Sequence, residues 1–221
     1  MKINELILFK DDSLIVINKP SGLRTLPDGY DPNLENLLTL LKQDFPEVMP
    51  VHRLDKDTSG VIIFARSKEV HKNLNNQFEK RLVKKKYVAI THNIPQWEDF
   101  TCKVALVVNG DRRHRTVINQ KGKPSQTYFI NRKYKIDKNL CLLEAYPNSG
   151  YTHQIRSHLC YLGFPILGDK LYSKNLSEVQ IALNNFYNRM MLHAESIEII
   201  HPAYNNPLIL TTEPSFSLDS I

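Results

Sequence analysis

Predicted β-strands follow one another through the middle of this chain without regularly spaced helices between them. The four clearest lie at residues 86–91, 102–108, 127–136 and 140–146. A doubly wound parallel sheet requires alternating strands and helices, so this pattern argues against that architecture. We therefore predict an α+β fold in which a mixed, largely antiparallel sheet is flanked by helices.

The ends of the chain's predicted elements are marked by local signals. Residues 6–18 predict a hairpin around a polar turn. Three amphipathic helices are predicted, with start signals at Asp31, Ser67 and Thr152. Gly163 is predicted to end the third helix.

The composition is that of a globular chain with a core of its own. The 221 residues are 42% hydrophobic and 24% charged, and a chain of this length buries roughly 70% of its unfolded surface. No linker rich in Pro, Gly or Ser divides it, so we expect one catalytic domain over residues 1–221. No apolar run approaches the ~20 residues of a membrane span, and the N-terminus lacks the pattern of a signal peptide. We therefore expect a cytoplasmic protein, and also a monomer.

The cysteines and histidines form no recognisable disulfide or metal pattern. Cys102, Cys141 and Cys160 are odd in number and have no CxxC spacing. The eight histidines include no HExxH pair. We expect buried thiols and no metal site.

Positive charge is concentrated in residues 80–135. This window holds fourteen Lys and Arg against three Asp and Glu, whereas the whole chain has a net charge of +6. It contains the run Lys84-Lys85-Lys86 and a polar turn with Arg112, Arg113 and Arg115. From charge alone two interpretations stay open: a solvated basic face, or a surface that binds phosphates.

A polar segment of sequence HRLDKDTSG, residues 52–60, precedes an apolar strand at 61–65. Loops held by rigid elements commonly carry functional residues. The carboxylate of Asp55, beside the cation of Arg53, has the charge that an ionised nucleophile requires. The alternative is an aspartate that caps a turn through backbone N–H groups, and the residues by themselves favour this alternative.

HRLDKDTSG followed by an apolar strand resembles the signature of the RluA-type pseudouridine synthases, in which the aspartate of HRLD is catalytic. Further segments resemble motifs of that family in the same order: NKPSG at 18–22, KYVA at 86–89, GYTHQIRSHL at 150–159, PILGD at 165–169, LHA at 192–194 and HP at 201–202. The resemblance covers nearly the whole chain. It implies a pseudouridine synthase catalytic fold. Because the chain begins a few residues before the NKPSG hairpin, we expect no separate N-terminal RNA-binding domain of the kind that many relatives carry.

The resemblance also implies an activity: conversion of specific uridines in ribosomal or transfer RNA to pseudouridine, without a cofactor. Asp55 is the expected nucleophile. Arg156 is expected to keep Asp55 ionised and oriented, because a nearby cation favours a charged carboxylate. Tyr87 is expected to stack on the detached uracil, and its phenol oxygen to accept or relay a proton. The atom that Asp55 attacks stays open.

Several residues are expected to contact RNA. His52 and Arg53 precede the nucleophile and are expected to help extrude the target nucleotide from its stack. Lys19 is either a phosphate contact or a salt-bridged surface lysine. With the family in view, the basic window is expected to bind an RNA stem-loop, so the expected RNA-contacting residues are His52, Arg53, Lys19, Arg112, Arg113 and Arg115.

Two residues depart from the family pattern. Tyr151 stands where relatives usually carry arginine, and Ser157 stands where a branched apolar residue is usual. Neither belongs to the expected catalytic set, so we expect them to affect substrate contacts and local packing.

Two rival functions use the same residues differently. A glycosidase would use Asp55 and Asp57 as a carboxylate pair and would release free uracil. A catalytically silent protein would keep the fold and bind RNA only. The joint presence of Asp55, Tyr87 and Arg156 argues against the silent protein.

Overall fold

The computed structural model describes residues 3–173 and 176–221, which form two compact units. The first unit consists of Met1–Lys85 with Ala194–Pro214, and the second of Lys86–His193 with Ser215–Ile221. The strands are β1 (Ile7–Lys10), β2 (Leu14–Lys19), β3 (Met49–Pro50), β4 (Ser59–Ala65), β5 (Lys84–His92), β6 (Asp99–Val107), β7 (Val117–Ile118), β8 (Lys123–Lys135), β9 (Leu140–Pro147), β10 (Leu192–Ile200) and β11 (Pro207–Thr211). The helices are α1 (Leu37–Asp44), α2 (Lys68–Glu79), α3 (Gln154–Tyr161) and α4 (Glu178–Phe186), and short 3₁₀ helices lie at Ile3–Leu6, Ile136–Lys138 and Leu218–Ser220.

Strands of the first unit run in the order β1-β2-β4-β10, with β3 paired to β4 and β11 paired to β10. The β1–β2, β2–β4, β3–β4 and β10–β11 pairings are antiparallel. All seven residues of β4 are buried. Apolar side chains from β2, β4, β10 and α2 form the core of this unit, including Val16, Ile63, Leu74 and Ile197.

In the second unit the strand order is β5-β9-β8-β6-β7, and every one of these pairings is antiparallel. Phe129 of β8, Leu143 of β9 and Leu159 of α3 lie in its core. The predicted α+β class with a largely antiparallel sheet is therefore confirmed. Helices do not alternate regularly with strands, in agreement with the pattern of the sequence.

Local signals located some helix ends correctly and others wrongly. Ser67 does cap α2, because its hydroxyl accepts a hydrogen bond from the Val70 N–H. Asp31 is wrong as the start of α1, since Asn36 is the cap and its side-chain oxygen accepts the Thr39 N–H at 2.9 Å. Thr152 is also wrong: His153 precedes α3 and has a left-handed backbone with φ 57°.

Helix α4 is absent from the predicted elements, although a signal for it exists. Ser177 and Gln180 form a capping box at its start. Val179 and Phe186 are 70% and 78% exposed, whereas Leu183 packs against the core of the second unit, so apolar spacing alone does not mark this helix. No helix in residues 3–173 or 176–221 combines the length and apolar character needed to cross a membrane.

Candidate functional site

Asp55 lies in a loop of the first unit that links the short strand β3 to the buried strand β4. The backbone turns directly after it, because the Thr58 N–H donates to the Asp55 carbonyl at 3.1 Å. Asp55 itself is half-buried, whereas Arg53 and Asp57 are exposed. The loop therefore presents one partly shielded carboxylate between exposed charged neighbours.

Lys19 holds this loop in place through the hydrogen bonds of its ammonium group. Its ammonium donates to the carbonyls of Pro20 and Leu23 at 2.8 Å each and to the carbonyl of Lys56 at 3.0 Å. The residue is 0% exposed, so the expectation that places Lys19 at the surface is wrong. An ammonium has three donors, and three carbonyls accept from this one.

Further hydrogen bonds join the NKPSG segment to the loop of Asp55. The Gly22 N–H donates to the Lys56 carbonyl at 2.9 Å. The Thr25 hydroxyl donates to the Leu54 carbonyl at 2.9 Å, and the Leu54 N–H donates back to that hydroxyl at 3.2 Å. The NKPSG segment and Thr25, which lies three residues beyond it, are therefore hydrogen-bonded to the loop of Asp55.

Gly60 ends the HRLDKDTSG segment and requires glycine for two reasons. Its φ is +115°, a conformation that side chains disfavour, and a Cβ atom there would lie 2.2 Å from the carbonyl oxygen of Ala194. Ala194 belongs to the LHA segment on β10. The close approach of the two backbones thus fixes the strand that follows Asp55.

His52 is held inside the first unit as a neutral ring. The Ile63 N–H donates to its Nε2 at 3.1 Å, so the proton of the neutral ring is on Nδ1, and the ring stacks on Phe78 with centroids 5.0 Å apart. Burial, with a smaller contribution from the charge of Lys85, lowers the pKa of His52 to about 3. His52 is therefore uncharged at neutral pH, and Arg53 is the cationic side chain of this pair.

Tyr87 lies on β5 in the second unit, where it pairs in register with Ala145 of β9. Its half-buried ring packs against the core of that unit. The preceding residue, Lys86, forms a 2.7 Å ion pair with Glu144. Strand pairing and core packing therefore determine the position of the tyrosine.

The carboxylate of Glu144, on the strand that pairs with that of Tyr87, accepts from three donors. Lys86, Arg132 and the Tyr146 hydroxyl each approach a carboxylate oxygen to 2.7 Å. Burial by itself raises the pKa of Glu144, but these hydrogen bonds and charges outweigh it and lower the pKa to about 2. The carboxylate is therefore ionised throughout the physiological range.

Arg156 lies on α3 and is paired with Asp169 of the PILGD segment. The Arg156 Nε donates to Asp169 Oδ2 at 2.7 Å and Nη2 donates to Oδ1 at 2.9 Å. The two side chains are 7% and 0% exposed. The predicted site residues do not include Asp169, although the PILGD motif contains it, because no local pattern relates it to an arginine thirteen positions earlier.

A buried chain of hydrogen bonds holds α3 on the sheet of the second unit. The Gln154 amide donates to the Thr127 hydroxyl at 3.0 Å, and His158 lies 2.9 Å from the hydroxyls of both Thr127 and Ser125. Ser125 donates its own hydroxyl proton to the Val104 carbonyl, so His158 donates to Ser125 through Nε2 and accepts from Thr127 at Nδ1. Burial lowers the pKa of His158 to about 4, consistent with a neutral ring.

The arginines of the basic turn have different roles in the structure. Arg112 and Arg113 are exposed. Arg115 is tied to Asp111, whose carboxylate accepts its Nε at 2.7 Å and its backbone N–H at 3.1 Å. Side-chain bonding from Arg115 is the main cause that lowers the pKa of Asp111. The turn thus presents Arg112 and Arg113 outward and uses Arg115 to shape itself.

Comparison with known proteins agrees with these motifs. Residues 13–161 match the family model described as RNA pseudouridylate synthase. The chain belongs to this family. Its members are RNA pseudouridine synthases, so the chain is an isomerase that converts uridine to pseudouridine.

Individual relatives extend the match over almost the whole chain. The synthase is 35% identical over 211 residues to the dual-specificity RNA pseudouridine synthase RluA of Escherichia coli, an alignment that covers 95% of this chain and 93% of the relative. It is 36% identical over 213 residues to the ribosomal large subunit pseudouridine synthase C of Buchnera aphidicola, covering 94% and 66%. Human RNA pseudouridylate synthase domain containing 4 has a related structure, with a TM-score of 0.76, 27% identity and coverage of 96% and 89%.

The two departures from the family pattern have defined surroundings in this synthase. The Ser157 hydroxyl donates to the Thr116 carbonyl at 3.0 Å, directly after the basic turn. The Tyr151 ring has the ammonium of Lys123 5.9 Å from its centroid. Ser157 therefore binds the backbone of the residue that directly follows the turn with the arginines.

No group of three or more His, Cys, Asp or Glu side chains within residues 3–173 and 176–221 is arranged to hold a metal ion. Cys102 and Cys141 are buried thiols, and Cys160 is a half-buried thiol. Burial raises the pKa of Cys102 to about 11 and that of Cys141 to about 12. Cys102 and Cys141 are therefore thiols rather than thiolates at neutral pH.

Proposed function

We propose that this synthase modifies uridines in stem-loops of ribosomal or transfer RNA, with Asp55 as the nucleophile. The observation that carries the assignment of Asp55 is its loop, in which a buried lysine and two joined motifs hold one half-buried carboxylate. A nucleophile must be held in a defined position to gain from proximity. The names of the relatives support the choice of RNA, since one acts with dual specificity and another on the large ribosomal subunit.

The reaction is an isomerisation that needs no external reactant. The bond between the ribose C1′ and uracil N1 breaks, the base turns, and C1′ is bonded to C5 instead. The hydrogen on C5 is released as a proton and N1 gains one, so the product has the composition of the substrate. Asp55 is proposed to hold the sugar or the base during this exchange as a covalent partner.

Tyr87 and Arg156 are proposed to complete the catalytic set. Tyr87 offers a ring that stacks on the free uracil and a hydroxyl that handles the proton. Arg156 offers directed N–H donors to the nucleophile. Both assignments rest on the positions of these residues in the KYVA and THQIR motifs.

RNA is proposed to be bound mainly through phosphates. Arg53, Arg112 and Arg113 are exposed cations, and exposed cations gain affinity by releasing condensed counterions from RNA. Arg53 is the proposed residue for extruding the target nucleotide. His52 supports the loop as a neutral ring and is not proposed as a phosphate contact.

Tritium release tests the activity. The probe is total RNA labelled with tritium at C5 of uridine, taken from an Escherichia coli strain that lacks its own RluA. We expect tritium release that matches the pseudouridine formed, at sites that mapping of the RNA then identifies. Release of free uracil would favour the glycosidase, and RNA binding without tritium release would favour the silent RNA-binding protein.

A matched pair of variants tests the nucleophile. Asp55→Asn keeps the shape and removes the charge, so we expect no activity with RNA affinity nearly unchanged. Asp57→Asn alters an exposed carboxylate two residues further along the same loop, and we expect near-normal activity. Turnover by Asp55→Asn, with deamidation excluded by mass spectrometry, would reject Asp55.

We further propose that the chain acts as one catalytic domain and as a monomer in the cytoplasm, where ribosomal and transfer RNA are found. The buried thiols of Cys102 and Cys141 support a reducing compartment. Light scattering of the purified protein with and without RNA tests the oligomeric state. Fractionation of cells that produce the protein tests its location.

A further inference from the structure

The guanidinium of Arg156 is held on two sides within the second unit. Asp169 accepts from its Nε and Nη2 at 2.7 and 2.9 Å. The Tyr172 ring lies against it, 5.1 Å from the guanidinium carbon to the ring centroid. A bidentate pair sets the plane of a guanidinium, and an aromatic neighbour limits its movement out of that plane.

Asp169 has little freedom of its own. Its Oδ1 also accepts the backbone N–H groups of Leu171 at 2.9 Å and Tyr172 at 3.1 Å. The preceding Gly168 is itself fixed, because its N–H donates to the Asn184 side chain at 2.7 Å and a Cβ on it would lie 1.9 Å from the Arg189 carbonyl oxygen. The carboxylate is therefore fixed in position where it accepts hydrogen bonds from the arginine.

We propose that Asp169 is a positioning residue that fixes the guanidinium of Arg156 for catalysis. This rests on the proposed function, in which Arg156 acts on Asp55. A guanidinium has five N–H donors, and Asp169 uses two of them, so the direction of the other three is set by the same bidentate pairing. Since the carboxylate also balances the charge of Arg156, the arginine contributes directed hydrogen bonds rather than an uncompensated positive charge.

A double-mutant cycle tests the proposal on the synthase with all 221 residues. Single-turnover rate constants are measured at saturating enzyme on the tritium-labelled RNA probe for wild type, Asp169→Asn, Arg156→Lys and the double variant. Asp169→Asn keeps the shape of the side chain but leaves one oxygen to accept from the arginine. We expect its rate constant to fall by about tenfold or more, because small displacements of a catalytic group are costly, while the RNA dissociation constant stays within about twofold.

Asp169→Asn is compared in two backgrounds, wild type and Arg156→Lys, and this comparison separates positioning from a merely structural role. A lysine at 156 cannot pair bidentately, so Asp169→Asn is expected to lower the rate by less than about threefold when Arg156 is already Lys. Asp219→Asn, which removes the exposed ion pair with Lys133, is the control and should keep the wild-type rate. Equal reductions by Asp169→Asn in both backgrounds, or a wild-type rate in the single variant, would overturn the proposal.

Failure of the proposed function gives a different result. If Arg156→Lys had the wild-type rate, the role of Arg156 would be rejected and this inference with it. If Asp169→Asn does not fold, wild-type protein labelled with ¹⁵N-arginine replaces it. The Nε–H of Arg156, assigned by its loss in Arg156→Lys, must be protected from solvent exchange, and exchange at the rate of an exposed arginine would overturn the pairing.

Discussion

The ammonium of Lys19 donates a 3.0 Å hydrogen bond to the carbonyl of Lys56, the residue directly after Asp55. The same ammonium binds the carbonyls of Pro20 and Leu23. A lysine expected at the surface thus ties together the two loops around the proposed nucleophile.

Lys19→Met is expected to destabilise the fold rather than weaken phosphate binding. Methionine fills a similar volume but leaves three carbonyls without their donor, which costs roughly 3 kcal/mol or more in the free energy of unfolding. Chemical denaturation measures this loss, and Lys72→Met, at an exposed lysine of α2, is the control. The salt dependence of RNA binding by the folded variant should be unchanged. A flatter dependence would show that Lys19 contacts RNA phosphates.

Replacing Tyr87 separates stacking from proton transfer. Phe keeps the ring and removes the hydroxyl, whereas Ala removes both. If the hydroxyl handles a proton, Phe should lower the single-turnover rate by about 10²-fold or more while RNA binding survives. Tyr134→Phe, at an exposed tyrosine of β8, should have no effect. Equally poor RNA binding by the Phe and Ala variants would indicate a structural role.

The arginines of the basic turn should differ in how much they contribute to the salt dependence of RNA binding. Removing Arg112 and Arg113 together should weaken binding to all RNA sequences and flatten the slope of log affinity against log salt by up to about 1.4 to 1.8. Arg115→Ala should change this slope less, since Asp111 already holds its guanidinium. An unchanged slope in the Arg112 and Arg113 variant would make this turn a solvated face.

Glu144 should contribute stability that disappears in acid. Its pKa is lowered from 4.5 to about 2 in the folded protein, so the contribution is complete above about pH 4.5 and is lost as the pH falls toward 2. At pH 7, Glu144→Gln should lower the free energy of unfolding by roughly 2 to 3 kcal/mol. The difference from wild type should shrink in denaturation series between pH 4.5 and 2. Glu213→Gln, at an exposed site, provides the control, and a difference independent of pH would contradict this account.

Features encoded over a few residues were predictable from the sequence. The Ser67 cap and the apolar spacing of α2 lie within twelve residues, and the β1–β2 hairpin is set by its own polar turn. The family motifs are also local strings, which is why the sequence alone identifies Asp55, Tyr87 and Arg156 as candidates. A cap is less certain where several polar residues compete, as the shift from Asp31 to Asn36 shows.

Burial and partners were decided only by the tertiary structure. Lys19 and Lys56 are thirty-seven residues apart, Arg156 and Asp169 thirteen, and nothing in the neighbourhood of either residue indicates the other. Arg112 and Arg115 look alike in the sequence, yet one is exposed and the other is bound to Asp111. A residue's type and spacing determine its local conformation, whereas its exposure and charge partner depend on which distant segments the fold brings against it.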